Sequence, residues 1–268
     1  MKLVSPHEAF EAIAWRYDLR WRGRISVLLR ALSLATLLRF FKRGDAVIEL
    51  GCGTGFEAVS LAKRGIRVCA VDPSPRMLAL TLARARRAGV EGLVHAHRLT
   101  AAEVGSLRLE DSDRLYDGAY SSFGPISLEE KLHVVPGQLA VLLRPGAHLI
   151  TSTFNYFCLV EFAIELMALK PRKAIRRIKR PTLLEADGLA CRAYAYRLGE
   201  LKRLFAPHFR LMEAFYAPVL VPPYEYEPTF EKLPSFVRGL AWRLDRRLWR
   251  AKPFNALGSH LFCVFVRC

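Results

Sequence analysis

Residues 45–77, DAVIELGCGTGFEAVSLAKRGIRVCAVDPSPRM, hold a strand, a glycine loop, a helix and a second strand ending in an acid, and this unit narrows the fold more than anything else in the chain. Ala46 to Leu50 is short and apolar, as expected of a strand buried on both faces, and it runs directly into Gly51-Cys52-Gly53-Thr54-Gly55. Phe56 to Lys63 follows with Ala58, Val59, Leu61 and Ala62 spaced to pack on a sheet. Lys63 and Arg64 complement the end of the helix dipole, and Gly65 suits a left-handed cap. Val68 to Val71 is the next strand, with Asp72 at its tip. Strand and helix alternating in this way build an α/β domain around a parallel sheet.

Glycines at alternating positions let the backbone turn sharply out of a strand and expose its amides to a ligand. An acid at the tip of the neighbouring strand can accept hydrogen bonds from both hydroxyls of a ribose. Those features serve a dinucleotide or S-adenosylmethionine (SAM) equally well. A dinucleotide fingerprint needs glycine at position 56, where this chain has Phe56. The spacing is Gly-x-Gly-x-Gly, and with Glu49 before it and Asp72 after it the stretch resembles the SAM-binding motif of class I methyltransferases.

That resemblance implies a doubly wound, mostly parallel seven-stranded Rossmann-like sheet with an antiparallel last strand. SAM would be the cofactor and S-adenosyl-L-homocysteine the product. It places cofactor contacts at Glu49, Gly51, Cys52, Gly53, Gly55 and Asp72, at Pro73 and Met77 beside adenine, and at Tyr17, whose Tyr-Asp pair stands before the domain as in many relatives. Many relatives carry Gly-Asp-Ala, with the aspartate facing adenine, where this chain has Arg98-Leu99-Thr100-Ala101, so adenine recognition falls to backbone groups or to Thr100 or Glu103, and Leu99 and Thr100 are the candidate contacts. Tyr120 and Ser121 close the fourth strand and fall at the carboxyl edge of the sheet, where open α/β sheets bind ligands. The competing reading of the loop is a tight turn in an α/β protein with no ligand.

A chain of 268 residues is long for one α/β domain and short for two, so a single domain with an insertion is expected. The domain map is 1–43 as an N-terminal helical cap, 155–188 as a helical insertion over the active site after strand five, and 219–253 as a second helical excursion. No apolar run reaches the roughly 18 residues of a membrane span, and MKLVSPHEAF lacks a signal-peptide core. The expected location is the cytoplasm, or the periphery of a membrane. The six cysteines have no Cys-x-x-Cys pair, and His95 and His97 share a strand face without a third ligand, so no metal site is expected.

Within this map Phe10 to Tyr17 and Ile25 to Phe41 read as helices, Leu93 to Leu99 and Tyr116 to Ser121 as strands, and Leu128 to Leu143 as a helix ending at Arg144-Pro145-Gly146. Asn155 to Leu169 is nearly all apolar and leads into the basic run Lys170 to Arg180. Strands are expected again at Cys191 to Tyr196, Phe209 to Phe215 and Ser259 to Arg267. Pro222-Pro223-Tyr224 reads as a turn, and the following amphipathic helix carries Arg243, Arg246, Arg247 and Arg250.

Methyl transfer needs little beyond alignment, because the sulfonium already activates the methyl group, and a base is needed only if the acceptor must lose a proton. His133, Tyr156 and Glu161 are the candidate bases. Phe154, Tyr156, Phe157 and the apolar helix after them point to a small, partly apolar acceptor. The net charge of +16 attracts nucleic acid, anionic lipid or acidic substrates alike. Lys170 to Arg180 is the stretch that would meet an anionic membrane surface or an acidic substrate. An RNA methyltransferase is the second choice, disfavoured by the missing Asp/Asn-Pro-Pro-Tyr/Phe motif of amino-methylating enzymes, and a SAM-binding regulator without catalysis is the third.

Overall fold

The computed structural model describes residues 2–20, 22–107, 115–249 and 251–268; Arg250 of the expected basic helix lies outside them. In chain order the elements are β1 (Lys2–Leu3), α1 (Pro6–Ile13), α2 (Tyr17–Arg20), α3 (Arg24–Leu37), β2 (Ala46–Leu50), α4 (Phe56–Ala62), β3 (Arg67–Val71), α5 (Pro75–Arg87), β4 (Val94–His97) and β5 (Tyr116–Ser121). They continue with α6 (Pro125–Leu128), α7 (Val135–Leu142), β6 (Leu143–Phe154), α8 (Leu159–Met167), α9 (Pro171–Ala174), β7 (Thr182–Ala186), β8 (Leu189–Ala193) and α10 (Leu198–Phe205). The last are β9 (Phe209–Ala217), α11 (Glu227–Phe230), α12 (Ser235–Leu248) and β10 (His260–Arg267).

Seven strands form the main sheet in the order β4-β3-β2-β5-β6-β10-β9. Pairs β2/β3, β2/β5, β3/β4 and β5/β6 are parallel, while β10 runs antiparallel to both β6 and β9. This is the doubly wound sheet with an antiparallel last strand that the sequence implies. The central strands are mainly apolar because helices cover both faces, with polar residues such as Glu49 and Ser121 gathered toward their carboxyl ends. Ile48, Leu50, Val71, Leu149 and Phe265 fill one side, and Val47, Val68, Ala70, Tyr120 and Val264 the other.

Three regions depart from the expected pattern. The N-terminal helix starts at Pro6, because Ser5 and Glu8 form a capping box there. The segment expected to run as one helix from Leu128 to Leu143 is broken, with α7 beginning only at Val135, since Pro136 has no amide proton and belongs in a first turn. Segment 155–188 holds α8 and α9 but also β7, and the strand expected at Cys191 to Tyr196 is β8, outside the main sheet. β8 pairs antiparallel with β7 and parallel with β1, making a three-stranded sheet that joins the N-terminus to this hairpin. An Arg16–Asp187 ion pair adds to the connection.

Candidate active site

At the carboxyl edge of the parallel strands the chain encloses a cavity of about 1010 Å³. Its floor is the glycine loop, pinned to the end of β3 by the Gly51 and Cys52 amides, which donate to the Val71 carbonyl at 2.8 and 3.0 Å. The loop glycines have different physical reasons. A Cβ on Gly51 would fall 2.3 Å from Pro125, and one on Gly55 would fall 2.7 Å from Thr81 of α5. Gly53 sits at φ +54° with its nearest neighbour, Tyr17, 3.9 Å from a notional Cβ, so this residue opens toward the cavity. Thr54 donates to Asp18 at 2.7 Å, and Asp18 also pairs with Arg84 of α5. Tyr17 lines the cavity while Asp18 ties α2 to the loop, so the Tyr-Asp pair divides into a wall and an anchor.

The wall beside the loop is acidic. Glu49, Glu57 and Asp72 are all buried and all line the cavity. Asp72 accepts from the Gly53 and Ser74 amides, each at 2.9 Å, which fixes its carboxylate and leaves further lone pairs on both oxygens. Burial pushes its pKa up to about 6 despite those two bonds. Burial pushes Glu57 to about 7, opposed by the Arg30 guanidinium, and raises Glu49 well above the carboxylate range. Among the described residues, Glu49 Oε2 and Glu57 Oε1 have no hydrogen-bond partner although both are buried. Unpaired buried carboxylate oxygens are costly, and a cationic ligand would relieve them.

Pro73, Met77, Leu99 and Thr100 complete the side expected to face a base. Thr100 and Glu103 form a capping box, with Glu103 accepting from the Thr100 amide and hydroxyl at 2.9 Å. The opposite wall is aromatic, with Phe123, Phe154, Tyr224 and His260. His260 reaches this edge because β10 is antiparallel, so its first residue pairs with the last residue of β6, Phe154. The imidazole lies 5.6 Å from the Phe154 ring and 6.3 Å from the Phe123 ring, and Nδ1 is 2.7 Å from Ser259 Oγ. Burial, reinforced by the charge of Arg177, lowers its pKa to about 3, so the ring is neutral.

Several expected positions fall elsewhere. Gly55 packs on α5, and Tyr120 and Ser121 are buried beneath the cavity, whose edge is formed by the next residues, Ser122 and Phe123. None of the three candidate bases lines it. His133 is exposed, and Tyr156 is covered by the guanidinium groups of Arg197 at 4.0 Å and Arg180 at 4.8 Å. Glu161 is buried in ion pairs with Arg176 at 2.5 Å and Arg177 at 2.6 Å, which hold its pKa low against the desolvation of burial. The cover over the cavity is the N-terminal segment Leu3 to Phe10 with Leu184 and Glu185 of the hairpin; α8, expected to cover it, is not among its lining elements.

Glu57, His260 and Tyr224 escape sequence reading. Glu57 sits in a helix whose other residues read as packing. Tyr224 reads as a turn, and His260 gains its position only from the antiparallel last strand.

Residues 47–146 match the family described as a methyltransferase domain. A ubiquinone biosynthesis O-methyltransferase of Xanthomonas oryzae pv. oryzae (strain PXO99A) is 30% identical over 118 residues, 42% of this chain and 44% of that protein. A demethylmenaquinone methyltransferase of Thermobifida fusca (strain YX) is 31% identical over 160 residues, 55% of this chain and 60% of that protein. The chain thus spans less than two thirds of the length of either relative. Among solved structures, geranyl diphosphate C-methyltransferase from Streptomyces coelicolor A3(2), in complex with magnesium, geranyl diphosphate and S-adenosyl-L-homocysteine, superposes with a TM-score of 0.54 at 15% identity, covering 89% of this chain and 78% of that one. The match to a methyltransferase domain thus spans the glycine loop and the parallel strands from Val47 of β2 through β5.

Proposed function

We propose that this chain binds SAM in the cavity and transfers its methyl group to a small acceptor with a substantial apolar part. The observation that carries the reading is one continuous cavity, with the glycine loop and three buried carboxylates on one side and an aromatic wall on the other. SAM carries a ribose, an ammonium and a sulfonium. Asp72, already oriented by two backbone amides, has lone pairs left for the ribose hydroxyls, and the unpaired oxygens of Glu49 and Glu57 suit the cationic groups. Met77, Pro73, Leu99 and Thr100 would flank the adenine.

The sulfonium supplies the activated methyl group. The protein's part is to align the acceptor and exclude water, and such alignment removes about 7–11 kcal/mol of barrier. Phe123, Phe154 and Tyr224 offer apolar faces, and the neutral His260 adds a polar edge without a charge. The names of the two curated relatives, one for ubiquinone biosynthesis and one for demethylmenaquinone, support an aromatic, quinone-like acceptor. A cavity roofed by the N-terminal segment supports a small molecule over RNA.

The test is to incubate the protein with SAM labelled in its methyl group and a cell extract, then separate organic-soluble molecules from RNA. Label in the organic phase is expected. Label in RNA would put the RNA reading first, and no label in either fraction would favour a SAM-binding regulator.

A further inference from the structure

In the basic run Lys170 to Arg180, four of the seven basic residues are held by carboxylates. Lys173 pairs with Glu165 at 3.2 Å, Arg176 with Glu161 and Glu225 at 2.5 Å, Arg177 with Glu161 at 2.6 Å, and Arg180 with Glu200 at 2.7 Å. The cations left without a carboxylate partner among the described residues include Arg243, Arg246 and Arg247, all exposed on α12.

α12 is firmly seated by its other side. Asp245, fully buried, accepts from the Val219, Leu220 and Val221 amides at 2.6, 3.2 and 3.2 Å and from the Trp249 indole at 3.1 Å. Trp242 packs on Phe230 of α11 at 6.3 Å. On the face opposite Asp245, Phe236 is 73% exposed, Leu240 54% and Leu244 40%, and Leu233 just before the helix is 43% exposed. Steps of four residues align them in one apolar stripe along the helix, and Arg243 and Arg247 share that face. On its other side, toward α3, Leu28, Trp242, Arg246 and Trp249 border an apolar groove of about 190 Å³.

We propose that α12 is a docking helix for an anionic lipid bilayer, its apolar stripe entering the interface while Arg243, Arg246 and Arg247 meet lipid phosphates. An outward apolar stripe set among arginines is the pattern of helices that lie in the membrane interface, where long basic side chains keep their charge at headgroup level. A second copy of this chain is disfavoured, since a symmetric contact would face arginine with arginine on a protein of net charge +16. RNA would use the arginines but leave Phe236, Leu240 and Leu244 without a purpose.

The experiment measures binding of the full chain to vesicles of phosphatidylcholine with a quarter phosphatidylglycerol, to pure phosphatidylcholine vesicles and to a structured RNA. The variants are Phe236→Ser/Leu240→Ser, Arg243→Gln/Arg246→Gln/Arg247→Gln, and, as a control on the earlier run, Lys170→Gln/Arg172→Gln/Lys179→Gln, each checked by thermal melting. The wild type should bind the anionic vesicles and not the neutral ones. The arginine variant should lose roughly fivefold for each charge, about a hundredfold in all. The serine variant should lose at least about tenfold, since each buried methylene contributes about 0.8 kcal/mol, and the control should bind as the wild type does. Absence of vesicle binding, binding unchanged in both α12 variants, loss in the control alone, or RNA binding in place of vesicle binding would each overturn the proposal.

Discussion

Glu49, Glu57 and Asp72 stand buried along one cavity wall, and their protonation sets how the empty protein responds to pH. Glu57 moves from 4.5 to about 7 on burial, a difference on the order of 3 kcal/mol between its two protonation states. Because the folded pKa is raised, the folded state binds the proton more tightly than the unfolded chain. The stabilisation is complete below about pH 4.5 and is lost as the pH rises through about 7. Asp72 adds the same sign between 3.8 and about 6. Thermal melting of the empty protein should therefore show stability falling from pH 5 to pH 8, and Glu57→Gln should flatten that slope; an equal slope in the variant would remove Glu57 as its source. Glu49 and Asp72 were legible in the sequence because the motif itself places them at strand ends beside the loop. Glu57 was not, because a lone charge near a helix start reads as a solvated residue until the packing of α2 and α3 over it is known.

Segments 155–188 and 219–253 show at the level of elements how far local pattern reaches. The main-sheet strands were legible because residues buried on both faces must be apolar, and β5, β9 and β10 lie where their sequences place them. The insertion was not, because its helix and basic run are explained by long-range pairs. Glu161 of α8 holds Arg176 and Arg177, and Arg177 also donates to the Ser259 carbonyl at 2.7 Å, just before β10. The Asn155 side-chain nitrogen, with two hydrogens to donate, lies within hydrogen-bond distance of the Phe157, Ala256 and Gly258 carbonyls, locking the start of the insertion to the approach to β10. Breaking a buried charge pair from one side costs about 3–5 kcal/mol. Glu161→Gln should thus lower the melting temperature markedly while the folded protein binds SAM as before. A normal melting temperature with methyl transfer abolished would instead restore Glu161 as a base.

Taken whole, the molecule is a parallel sheet whose carboxyl edge is roofed by its own N-terminus. Glu11 of α1 accepts from the Ser74 hydroxyl and from the Arg76 amide at 3.1 Å, so the roof is fastened beside Asp72. The sheet was foreseeable from one strand-loop-helix-strand unit, whereas the roof depends on β1 pairing with β8, where Lys2 meets Leu189 across most of the chain's length. This roofed cavity is where we propose that SAM binds, with Asp72 on its ribose. The measurement that tests it most directly is a calorimetric titration of SAM into the wild type and Asp72→Ala. Removing a charged acceptor costs roughly 1.5–3 kcal/mol, about 10- to 150-fold in affinity. Saturable binding to the wild type, weakened by that factor in the variant while both proteins stay folded, is the predicted result. Equal affinity in the two proteins, or no binding to the wild type, would contradict it.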